Sequence, residues 1–178
     1  MVRIAYKPSD VAEPKDVVES IRARRGGRLL NLDRVLLHSP VFAAGWSAFL
    51  RVVRNELSVP PKLRELAICV VAALNGAEYE FHHHAPEFIK AGGSQAQLDV
   101  LGRLPPAQAD WRLFDAAERA VIELTTAMTE GVSVDDTSFV LAKTALSSDQ
   151  QMVELVGIIA TYNMVSRFLV ALDIEPEP

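Results

Sequence analysis

The chain has 178 residues, 49% of them apolar and 23% charged, a size and composition that fit one soluble domain with a sizeable core. Its formal net charge of −5 and pI near 5.4 exclude a general nucleic-acid binder, which needs a basic face. A single cysteine, Cys69, excludes an intrachain disulfide and a Cys-x-x-Cys redox pair, and fits a reducing compartment.

In chain order, residues 1–13 read as an extended arm with no apolar core of signal-peptide length. Pro14 suits a first helical turn, and Val17, Val18 and Ile21 recur at helical spacing until Gly26-Gly27. The arginines at 22, 24, 25 and 28, flanked by Glu13, Asp16, Glu19 and Asp33, read as a solvated helix face. A short helix over Leu29–Leu37 follows. Pro40 opens an amphipathic helix carrying Phe42, Trp46, Phe49, Leu50 and Val53. Ser58 is the expected N-cap of a helix over 62–74 that is apolar on nearly all sides and therefore expected to be buried. Asn75-Gly76 stops it.

A histidine-rich helix then runs to about Ala91, ended by Gly92-Gly93, and Ser94 caps a short helix with Leu98 and Leu101. Residues 102–110, with Pro105-Pro106, read as a loop. Three further helices are expected over 114–129, from Ser133 or Asp135 through Leu146, and from Asp149 to about Leu172, before the acidic tail 173–178. No window shows the period-2 alternation of strands, and no repeat is evident. The expectation is an all-α single domain over 1–178. Apolar runs such as AICVVAAL fall short of the ~20 residues of a membrane span, so the expected protein is cytoplasmic with no membrane partner.

Chemistry concentrates in two places. The first is Glu65, set in the otherwise apolar run LAICVV, together with Tyr79, Glu80, His82, His83 and His84 on the next helix. A buried carboxylate must pair, coordinate a ligand, or raise its pKa. Two readings stand for Glu65: a structural ion pair with Arg64, Arg103 or Arg167, or a functional group. Glu80 shares a helix face with His83 and with His84, the spacing at which a carboxylate orients an imidazole. Consecutive histidines fan out by roughly 100° each on a helix, so at most two of the three face one site. Glu80-x-x-His83 has di-iron spacing, but no second such pair occurs, and His-Glu-x-x-His is absent. A mononuclear site from Glu65, Glu80 and one histidine stays open. The second place is the last helix, where Tyr162, Asn163, Ser166 and Arg167 interrupt an apolar segment. Buried polar groups there need partners from other helices or from a ligand, and Arg167 suits a substrate carboxylate or Glu65 itself.

The run RELAICVVAALNGAEYEFHHHAPEFIKAGGS and the later ELVGIIATYNMVSRFLVALDI resemble the carboxymuconolactone decarboxylase family, which includes the alkylhydroperoxidase D-like proteins. The resemblance spans roughly residues 40–175. It implies an alkylhydroperoxidase D-like helical fold and a homo-oligomer, a trimer or a multiple of trimers. In the family's redox branch a glutamate precedes a Cys-x-x-Cys pair, and a histidine follows the second cysteine by four positions. Laid on this chain, these positions fall on Glu65, Ala77, Glu80 and His84, so neither thiol of a dithiol peroxidase is present. Cys69, in an apolar helix, reads as an inert buried thiol.

The cysteine-free branch implies acid/base chemistry on a small carboxylated lactone or related carboxylate, needing no metal or organic cofactor. Glu65, Glu80 and His84 are the catalytic candidates: His84 as general acid/base assisted by Glu80, and Glu65 with its pKa raised by burial. Tyr79, His83, Tyr162, Asn163 and Arg167 are the substrate-binding candidates, with the tyrosines donating to an enolate. The competing readings are an alkylhydroperoxidase-type peroxidase, opposed by the missing thiols, and a non-catalytic oligomeric protein that binds small carboxylates.

Overall fold

The structure is a computed structural model that describes residues 2–103 and 111–177. Part of the expected loop over 102–110, including Pro105-Pro106, lies outside the described residues. Every regular element among the described residues is helical. The chain divides into two compact units, one running to Glu56 and resuming at Ala171, the other spanning Leu57–Val170.

The first unit contains α1 (Lys15–Arg24), α2 (Asn31–Leu36) and α3 (Pro40–Asn55), with both α1 and α2 packed on α3. Val18, Ile21, Leu32, Val35 and Leu50 are buried in it. Of the arginines expected on a solvated face, Arg28 is exposed, but Arg24 and Arg25 are drawn inward. Arg24 and Arg25 pair with Asp33, and both side chains are only 16% exposed. The cause is Asp33 itself, which accepts the Leu30 N–H at the start of α2 at 3.0 Å and is buried there, so its charge needs cations. Arg22 reaches back to the Ser9 and Val11 carbonyls and so pins the N-terminal arm. The acidic tail is pinned as well: the Asn31 N–H donates to Glu177 at 2.5 Å, and Tyr6 Oη accepts the Glu175 N–H at 3.1 Å.

The second unit is organised around α4 (Pro61–Leu74). As the sequence indicates, it is enclosed almost completely: Leu66 through Ala72 are all at zero exposure. It packs against α5 (Glu78–Lys90), α6 (Gln95–Leu101) and α7 (Ala116–Glu130), and α7 carries α8 (Asp136–Ala145). The long α9 (Asp149–Leu172) contributes the buried Leu155, Ile158, Ile159 and Tyr162. By length and composition α9 is apolar enough to cross a membrane, a segment longer than the apolar runs noted above. Half of that window is buried, and Asn163 and Ser166 bond to neighbouring helices, the pattern of a core helix.

Two caps differ from expectation. Ser58 does not cap α4; its N–H and hydroxyl both donate to Glu154 on α9, at 2.6 and 2.8 Å. Helix α7 begins at Ala116 rather than 114, because Asp115 and Glu118 form a reciprocal capping box at 2.8 and 2.9 Å.

At the end of α5, a Cβ added at Gly93 would overlap the ring of Phe88, which is fully buried. Gly93→Ala is therefore expected to destabilise the protein by about 1–3 kcal/mol, the usual cost of overpacking. Urea denaturation measures it, and a midpoint equal to wild type would mean that Phe88 has room to move.

Candidate active site

Helices α4 and α5 meet at the chemistry-bearing residues. Glu65 and Cys69 are one turn apart on α4, and Glu80 and His84 are one turn apart on α5. Packing of the two helices brings Oε2 of Glu65 to 2.7 Å from Nδ1 of His84, while Nε of Arg64 donates to Oε1 of Glu65 at 3.1 Å. Glu65 is 6% and His84 7% exposed.

Burial by itself would raise the Glu65 pKa. The hydrogen bond and charge of His84, and after them those of Arg64, outweigh it and hold the carboxyl below the ordinary glutamate range. This reverses the expectation of a raised value. Glu65 is thus an anion at neutral pH, and an anionic carboxylate only accepts, so Nδ1 of His84 carries the proton between them.

Glu80 takes a partner from another helix. Its Oε1 accepts the Ser166 hydroxyl of α9 at 2.8 Å, and it is 2% exposed. Glu65, nineteen positions earlier, is a carboxylate that orients His84. Ser166→Ala removes the hydroxyl from a buried acceptor and is expected to cost about 1.5–3 kcal/mol, as for hydrogen bonds to charged groups. An unchanged urea midpoint would show that Glu80 does not depend on that donor.

The histidines fan out as helical geometry requires: His82 is exposed, His83 half-buried and His84 buried. The Tyr162 ring, fully buried, meets the His84 ring edge-on at 5.0 Å, and Tyr79 stacks obliquely on His83 at 4.5 Å. Tyr162 thus borders the pair, and Tyr79 contacts the neighbouring His83. Asn163 has a structural setting: it donates to Thr129 on α7 at 3.0 Å and to the Ile159 carbonyl at 3.1 Å, and accepts from Asn75 at 3.1 Å. Arg167 is exposed, one turn past Asn163 on α9, and of the three arginines expected as partners for Glu65 it is Arg64 that donates to it.

Cys69 is fully buried. Burial first, and then the charges of Glu65 and Glu80, push its thiol far above the ordinary range, so it stays protonated and unreactive. Among the described residues, no three His, Cys, Asp or Glu side chains cluster as a metal-ligand set.

A second buried polar cluster lies apart from this site. Glu118, 2% exposed, accepts from Gln97 of α6 at 3.1 Å and pairs with Lys62 of α4 at 2.5 Å. Two sequence patterns signal it, Ser94-x-x-Gln97 and Asp115-x-x-Glu118, each a capping box whose far residue also bonds beyond its own helix.

Residues 40–104 match the model of the carboxymuconolactone decarboxylase family. The fold is similar to that of the alkylhydroperoxidase AhpD core of a peroxidase-related protein from Ralstonia eutropha JMP134, at TM-score 0.82 and 17% identity over 99% of this chain and 92% of that one. A peroxidase-related protein from Silicibacter sp. TM1040 aligns at TM-score 0.80 and 16% identity, again over 99% and 92%. A variant of the debrominase Bmp8 in complex with 2,3,4-tribromopyrrole aligns at TM-score 0.77 and 16% identity, over 98% and 92%. Among curated proteins none matches the chain. At these identities the solved structures establish an alkylhydroperoxidase D-like fold.

Proposed function

We propose that this chain, whose residues 40–104 match the model of the carboxymuconolactone decarboxylase family, is an acid/base enzyme that works without thiol chemistry on a small carboxylated lactone or related carboxylate. The observation that carries this reading is the buried Glu65–His84 pair at 2.7 Å, with Arg64 on the far oxygen of Glu65. A carboxylate that fixes Nδ1–H leaves proton exchange with substrate to Nε2, the arrangement that general acid/base catalysis uses.

In decarboxylation, the C–C bond to the carboxylate breaks and carbon dioxide leaves. The electron pair passes onto the neighbouring carbonyl as an enolate. The His84 imidazolium then delivers its proton to the carbanionic carbon and is recharged from water. Tyr162, edge-on to the His84 ring, and Tyr79, stacked on the neighbouring His83, are the donors for the enolate oxygen. Glu80, held by Ser166, is the second carboxyl of the site.

The neighbours named for peroxidase or debrominase relationships do not bring thiol chemistry to this chain, because Ala77 and Glu80 stand at the dithiol positions and the Cys69 thiol is buried. The same reading includes self-association as a trimer or a multiple of it. It is supported by the exposed apolar residues Phe139, Val140 and Leu141 on α8 and Val153 on α9. A monomer by light scattering at micromolar concentration would contradict that part.

The decisive experiment is a thermal-shift screen of carboxylated lactones and aromatic carboxylates, followed by carbon dioxide release on the compounds that stabilise the fold. Turnover that disappears in His84→Ala is the expected result. Stabilisation without turnover would favour a binding protein, and no stabilisation by either class would remove the substrate assignment.

A further inference from the structure

We propose that Arg64 is a positioning residue for the proton-transfer pair: by holding the far oxygen of Glu65, it limits how strongly that carboxylate stabilises a charged His84, and so sets the pH at which His84 takes up its proton. The inference rests on the reading of His84 as an acid/base group for its catalytic consequence, though not for the titration that tests it.

The geometry is specific. Adjacent residues on a helix diverge by roughly 100°, so Arg64 and Glu65 do not meet by default. Here Arg64 folds back to place Nε 3.1 Å from Oε1, and its side chain is only 18% exposed. A cation in the opening turns of α4 is also disfavoured by the helix dipole. Its position is accounted for by Glu65 rather than by local helix preference.

The carboxylate is thereby shared between two cationic donors. Arg64 occupies Oε1 and His84 occupies Oε2. Charge on Glu65 favours the imidazolium, while the guanidinium behind it opposes the imidazolium. Tyr162 of α9 meets the His84 ring edge-on, and on α5 the neighbouring His83 stacks with Tyr79 while Glu80, one turn before His84, accepts from Ser166. The Cys69 thiol lies one turn past Glu65 on α4 and is fully buried. Lys62, two positions before Arg64, is committed to Glu118. Arg64, on the far oxygen of the carboxylate that His84 contacts, is a cation placed to act on His84 through Glu65.

Removing Arg64 and removing Glu65 should then move His84 in opposite directions. The test is an NMR titration of the His84 ring, assigned by the signal lost in His84→Gln. The full chain is compared with Arg64→Gln, Arg64→Met, Arg64→Lys and Glu65→Gln. Arg64→Gln and Arg64→Met are expected to raise the midpoint by about one pH unit. Arg64→Lys should stay near wild type and Glu65→Gln should lower the midpoint. The methionine variant keeps the packing of the aliphatic stem and carries the test should the glutamine variant not fold.

A role confined to folding would lower stability and leave the midpoint in place. An unchanged or lowered midpoint on removal of Arg64, or a lysine variant shifted as far as the glutamine one, would overturn the proposal. The outcome is separable from the proposed reaction. A shifted midpoint with normal carbon dioxide release by His84→Ala retains Arg64 and discards the reaction. An unshifted midpoint with turnover lost in His84→Ala does the reverse.

Discussion

Glu65→Ala is expected to destabilise the protein by about 3–5 kcal/mol, because it removes one member of a buried charged set and strands the others. His84 loses its Nδ1 acceptor and Arg64 loses its carboxylate, in surroundings that are 7% exposed at His84. Glu65→Gln keeps the shape and one acceptor oxygen, so it isolates the charge and should cost less. Urea denaturation of both variants, with His84→Ala and the double variant, closes a cycle whose coupling term reports the pair. A Glu65→Ala protein as stable as wild type would mean that the pair contributes nothing to folding.

The pH dependence has a definite sign. The folded-state pKa of Glu65 is lowered, since the hydrogen bond and charge of His84 and Arg64 outweigh desolvation. A carboxyl of that kind stabilises fully above its unfolded pKa, roughly 4.3, and loses that contribution as pH falls through the lower folded value. Wild-type stability should therefore decline on acidification below that point, and Glu65→Gln should show a shallower decline. An equal decline in both would assign acid sensitivity to other carboxylates.

The fold was legible because its signals are local and redundant. The enclosure of α4 follows from a run apolar on all sides, and α5 ends where Gly92-Gly93 says it should. The site was legible in membership more than in wiring. Glu80 and His84 share a helix face, so i,i+4 spacing pairs them. Tertiary packing of α4 on α5 instead gives His84 to Glu65, and α9 gives Ser166 to Glu80. Spacing along one helix cannot rank a local partner against one brought in by a neighbouring helix.

Arg64 rather than Arg167 is the cation on Glu65 for a related reason. Arg167 lies one turn past Asn163, a residue fixed by Thr129 and Asn75, yet the small angular drift of that step carries it to the solvent edge. Arg64 was among the named partners of Glu65, but nothing in the sequence distinguished it. Adjacent helical residues diverge, and only the folded-back side chain brings them together. The expected raised pKa of Glu65 came from weighing burial without the partners that burial had recruited.

His84→Ala is expected to lower kcat on the substrate by about 10²–10⁴-fold, the range for a positioned acid/base group, with KM little changed. The expectation follows from roles rather than proximity alone. Glu65 is held ionised and accepts from Nδ1, so it cannot replace the imidazole as a proton donor at neutral pH. Added imidazole should recover part of the rate in His84→Ala, because it restores the exchanging group without restoring the helix contact. Glu80→Gln separates the second carboxyl. The amide still accepts from Ser166, so folding should hold, while a loss of about 10²-fold would mark Glu80 as a proton-transfer group. Wild-type turnover in Glu80→Gln would confine that carboxyl to tying α5 to α9, and wild-type turnover in His84→Ala would end the acid/base assignment altogether. Read with the opposed His84 titrations in Arg64→Gln and Glu65→Gln, these rates distinguish a relay that runs from Arg64 through Glu65 to His84 from three side chains that merely pack together.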